Sequence, residues 1–164
     1  MPNAGDLIRA ADVSVPTYIS KAGSESVTSS TTLQDDDHLT LTLAVGTYWV
    51  ELVLTATGAA AGDIKTAWTS TGTMSVIGRS VLGPTVGAAD VSAGLVNARG
   101  VTFTSNQSFA TDGTNSSHIH EWLLIDVTVE GVLTLQWAQA ASSGTATTLS
   151  TSSRMLITKV EASS

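Results

Sequence analysis

Apolar and polar residues alternate with a period of two along much of this chain. From His38 to Thr57, Leu39, Leu41 and Leu43 alternate with Thr40, Thr42 and Ala44, the spacing of a strand with one buried face. Val45 and Gly46 interrupt the pattern. It then resumes with Tyr48, Val50, Leu52 and Leu54 on one face and Trp49, Glu51, Val53 and Thr55 on the other. Two β-rich runs joined by a short glycine-containing link predict a hairpin, and the apolar Trp49 and Val53 predict a second strand covered on both faces. A matching pair comes later: His118 to Val129, then Glu130-Gly131, then Val132 to Ala140. It has a similar length and a similarly placed glycine, the nearest approach to an internal repeat.

Between and around these pairs the same period predicts shorter strands. They are Asp63 to Thr69 with Ile64, Thr66 and Trp68 on one side, Thr73 to Ser80, Leu95 to Phe103, and Arg154 to Glu161. Val81 to Ala93, Asn106 to Ser117 and Ala141 to Ser153 carry the Gly, Pro, Asn and Ser signals of loops. Gly5 to Val13 has the apolar spacing of a turn or two of helix, stopped before Pro16, and Ser14 to Ala22 reads as an extended arm or edge strand. Ser24 to Thr32 has the composition of a linker. The expected architecture is all-β: an antiparallel β-sandwich of the jelly-roll kind with about eight to ten strands, since a parallel sheet would need crossover helices. Residues 1–30 form an N-terminal arm and 31–164 the domain.

Composition adds a bias toward assembly. Charged residues make up 13% of the chain, about half of the usual quarter, and Ser and Thr take their place. So few charges leave a surface poorly defended against association. The net charge of -7 repels phosphate backbones, and no Lys or Arg cluster offsets it, which argues against nucleic acid as a partner. With no cysteine, disulfides, thiolate catalysis and cysteine-ligated zinc are excluded. Met1 to Asp6 lacks a basic segment followed by an apolar core, and no apolar run reaches membrane-spanning length. The expectation is therefore a chain made and kept in the cytoplasm, or released from it by lysis, without membrane insertion.

Candidate chemistry is sparse. Asp35-Asp36-Asp37 has the hard oxygen ligands that suit calcium, yet lacks the EF-hand spacing, and a solvated turn is the simpler reading. His118 and His120 share a strand face and could hold a metal with His38 or Glu121 as a third ligand; ordinary polar packing at a strand end is the alternative. The Gly-x-Ser-x-Gly hydrolase signature is absent. Strand parity puts Glu121 on a different face from Asp126 and Glu130, and Glu51 completes no acid pair with them. No catalytic, cofactor or metal residue is assigned. Tyr48, Trp49, Trp68, Trp122 and Trp137 are the expected core or oligomer anchors, and Leu7, Ile8, Val13 and Tyr18 the contacts of the arm. Exposed tryptophans on a β face would instead stack on sugars.

At Gly46-Thr47-Tyr48, and again at Gly62-Asp63-Ile64-Lys65-Thr66-Ala67-Trp68, the sequence resembles a group of small virion proteins of tailed bacteriophages, especially those of actinobacteria. Their chains carry a Gly-x-Tyr strand start, a Gly-Asp-Ile/Phe-Lys run and a tryptophan. The resemblance covers about Ser26 to Val160. It implies a trimeric jelly roll of the general C1q and tumour necrosis factor shape, serving as a capsid decoration, head fibre or minor tail protein. Its implied partners are further copies of itself, major capsid or tail proteins and a host cell-surface glycan, and its implied location is the virion. The chain lacks a repetitive fibre or collagen-like stalk and looks like a surface module.

Overall fold

The computed structural model describes residues 15–87, the backbone of 95–99, and residues 102–160. The expected helix at Gly5 to Val13, and with it Leu7, Ile8 and Val13, lies outside the described residues. Those described contain no helix. They form twelve strands: β1 (Thr17–Ser20), β2 (Glu25–Val27), β3 (Gln34–Leu43), β4 (Gly46–Thr57), β5 (Ile64–Ser70), β6 (Thr73–Pro84), β7 (Leu95–Arg99), β8 (Gln107–Phe109), β9 (Ser117–Val129), β10 (Gly131–Ala138), β11 (Thr147–Leu149) and β12 (Arg154–Val160). The expected β-sandwich is observed as two antiparallel sheets. The larger runs β1-β12-β4-β9-β6-β7, with β11 joining β2 to β4; the smaller runs β3-β10-β5-β8.

The two expected hairpins are not hairpins. β3 lies in the small sheet and pairs β10, whereas β4 lies in the large sheet and pairs β9. Leu43 sits opposite Gly131, and three residues later Gly46 sits opposite Val127. The chain therefore crosses between sheets at Ala44-Val45 and again at Glu130, side by side. The apparent repeat arises because the two runs are the two arms of one antiparallel ribbon bent over the corner of the sandwich. A third crossing, from β5 to β6 at Thr71-Gly72, packs against the same corner: the Thr71 amide donates to the Val132 carbonyl at 2.9 Å, and the Val132 amide to Thr71 Oγ1 at 2.8 Å. At Gly131 a Cβ would fall 2.1 Å from the Thr71 carbonyl oxygen, so only glycine fits there.

Other expectations shift in detail. β6 continues to Pro84, taking the first residues of the expected loop, and a bulge between Val76 and Gly78 changes which residues face inward. Short strands β8 and β11 occupy stretches that composition marks as loops. β1 and β2, on the expected arm, pair with this chain's own β12 and β11.

Between the sheets lies a closed apolar core built on Leu39, Leu52, Trp68, Leu123, Leu133 and Trp137. One ionic group sits within it. Glu121 occupies the inward row of Ile119, Leu123 and Ile125 and accepts from Thr66 Oγ1, from Trp68 Nε1 at 2.9 Å and from Arg79 Nε at 3.0 Å. Arg79 Nη2 lies 2.9 Å from the same oxygen but off the line of a hydrogen bond, so it contributes by charge alone. Its Nη1 donates to the carbonyls of Thr102, Phe103 and Ser105. Every charge in the group is compensated, the condition for burying an ion pair.

Candidate functional site

The outer faces of the two sheets differ in chemistry. On the small sheet, Thr40 Oγ1 meets Thr134 Oγ1 at 2.9 Å, and Gln136 donates to Asp35 at 2.8 Å. Thr42, Thr69 and Lys65 extend this polar surface, as expected for a face turned to water.

The large sheet presents the opposite character. Registers across β1, β12, β4, β9 and β6 define the rows of its outer face. One row reads Tyr18, Leu156, Glu51, Trp122, Ser80; the next reads Arg154, Val53, His120, Leu82; on the other side lies Thr158, Trp49, Leu124, Gly78. Val53, Leu82, Trp122, Leu124 and Leu156 are all only half-buried. Tyr18 is 61% exposed, Trp49 40% and Ile77, at the β6 bulge, 60%. His120 stacks on Trp122 with ring centroids 5.8 Å apart. A shallow hollow of about 140 Å³ on this face is lined by Tyr18, Glu51, Val53, Arg154 and Leu156. Large exposed apolar patches on soluble proteins commonly serve as interaction surfaces. The expectation that β4 is covered on both faces is corrected: within one chain only the inward face is covered.

The expected anchors divide between two places. Tyr48, Trp68 and Trp137 are buried in the core. Trp49 and Trp122 share the outer face of the large sheet on adjacent strands, Trp49 opposite Leu124 and Trp122 opposite Glu51. Tyr18 joins them from β1.

The expected ligand sets do not assemble. His118 and His120 point to the outer face, His38 lies on the other sheet beside Glu25, and Glu121 points into the core. Asp35-Asp36-Asp37 is part of β3 rather than a solvated turn, because Asp36 is drawn inside. Its Oδ2 lies 2.6 Å from the buried Lys21 Nζ, which is also 2.6 Å from Glu25 Oε1. Glu25, Asp36 and His38 lie close enough together to hold a cation, and the Lys21 ammonium fills that role. Strand parity places Glu121 with the core residues, so its burial was readable in the sequence; Lys21, in a Ser- and Gly-rich connection, carries no such signal.

Among the described residues Asp63 is the remaining buried acid. Burial pushes its carboxyl above the usual range, while the amides of Thr111 and Gly87 pull it part of the way back. Its backbone is left-handed, at φ 50°, a conformation Asp and Asn tolerate better than most residues. No known protein family, curated protein or solved structure matches the chain.

Proposed function

We propose that this chain is a non-enzymatic structural protein of a tailed bacteriophage virion. In this reading it is a homotrimer of jelly-roll modules on the outside of the capsid, as a decoration or head fibre, or on the tail, where it stabilises the particle or presents an adhesion surface. The observation that carries the reading is the contrast between the sheets: one outer face is mainly polar, the other carries the half-exposed Trp49, Val53, Leu82, Trp122, Leu124 and Leu156 among a few charged and polar side chains. A chain with so few charges remains soluble when identical neighbours cover that face, and closed symmetry lets one patch serve every subunit. The sheet orders β1-β12-β4-β9 and β3-β10-β5-β8, bridged by the bent ribbon, support the jelly-roll assignment.

Electron microscopy of phage particles carrying this chain, labelled with an antibody against it, tests the location. Label on the outer head or on the tail is expected; intact particles without label contradict the reading.

Trp49 and Trp122 on one face favour a second reading, a carbohydrate-binding module in which the rings stack on a host glycan. That reading expects glycan-array binding that Trp49→Ala and Trp122→Ala abolish, with the chain remaining monomeric.

A further inference from the structure

Lys21, Glu25 and Asp36 are arranged as an acyl-transfer site. The Lys21 and Asp36 side chains are fully buried, and Nζ lies 2.6 Å from Asp36 Oδ2. The other carboxyl oxygen, Oδ1, accepts from the backbone amides of His38 at 3.0 Å and Leu39 at 2.8 Å. Two amides on one oxygen are the arrangement that stabilises an oxyanion. Glu25 Oε1 lies 2.6 Å from the same Nζ and is itself held by His38 Nδ1 at 3.1 Å and the Asp37 amide at 3.3 Å. A nucleophile, a base with its own orienting partner, and a polarised carbonyl carbon are thus in place together.

We propose that Lys21 and Asp36 join spontaneously in an intramolecular isopeptide bond, with Glu25 carrying the protons. Both charges of the pair are out of water, so a proton moving from Nζ through Glu25 to Asp36 Oδ2 neutralises two groups that are costly to bury. The free amine then attacks Cγ, and the developing charge on Oδ1 is held by the two amides. Glu25 takes a second proton from nitrogen and delivers it to the Oδ2 hydroxyl, which departs as water while the C–O bond breaks. An ammonium and a carboxylate become one amide and one water, with no oxidant or co-reactant. Glu25 and His38 are the partly exposed members of the group and give the water a way out.

The placement gives the bond a purpose. Lys21 lies between β1 and β2 at the edge of the large sheet, and Asp36 lies on β3 of the small one. The amide would staple the two sheets in a chain without cysteine, closing the loop between the two residues and so restricting the unfolded chain. This inference is independent of the phage reading.

Mass spectrometry of the purified, denatured full chain tests it. The expected mass is that of the sequence less one water, and cleavage after glutamates should leave peptides 1–25 and 26–51 joined through Lys21 and Asp36. Glu25→Gln keeps a polar side chain of the same size and should yield a folded protein of full, unreduced mass; Lys21→Met and Asp36→Ala should also show no water loss. A folded wild-type chain at full mass, or a water loss mapped to any other residue, would overturn the proposal and leave the group as an ion pair. So would a linked Glu25→Gln chain, by removing Glu25 from the chemistry.

Discussion

Glu121 is fully buried among three side-chain donors. Its two oxygens are shared by a hydroxyl, an indole and a guanidinium, and removing one partner leaves the others around a buried charge. Arg79→Met should therefore cost about 3–5 kcal/mol in urea unfolding. The two core indoles give a finer comparison: Trp68 Nε1 donates to Glu121, whereas Trp137 Nε1 has no partner. Trp68→Phe should cost more than Trp137→Phe by about 1.5–3 kcal/mol, the usual worth of a hydrogen bond to a charged group. Asp63 supplies a pH test. Because burial raises its folded-state value, the stability it contributes is complete below its ordinary 3.8 and is lost as pH rises through the raised value. Asp63→Asn keeps an acceptor for Thr111 and tolerates the left-handed backbone. It should stabilise the protein at neutral pH, with the advantage vanishing as the solution is acidified toward the ordinary Asp range.

Strand existence and facing were legible in the sequence wherever alternation ran for eight residues or more, because a half-buried strand writes its burial directly into period two. Tyr48, Val50, Leu52 and Leu54 share one face as read, and that face is the inward one; the row from Ile119 to Val127 is inward too. Partnership was not legible. A two-residue link with glycine is equally compatible with a hairpin and with a bend from one sheet to the other, and what separates them is long-range pairing between residues about ninety apart. Short strands such as β8 and β11, three residues each, were hidden by their Ser and Thr content. The corner itself is testable: Gly131→Ala places a methyl against the Thr71 backbone, which has no side chain to move aside. It should destabilise by at least about 1–3 kcal/mol, measured by thermal unfolding.

At the scale of the whole molecule, one chain leaves the apolar side chains on the outer face of the large sheet half uncovered. Composition alone suggests association, but only the registers show that Trp49, Val53, Leu82, Trp122, Leu124 and Leu156 lie on one surface. Placing charge there should separate assembly from folding: Val53→Asp with Leu124→Asp should keep the β circular-dichroism spectrum while the particle mass falls to that of one chain. The most direct measurement is multi-angle light scattering of the full wild-type chain at micromolar concentration. One compact species at three times the chain mass is expected; a monodisperse monomer would contradict the proposed assembly.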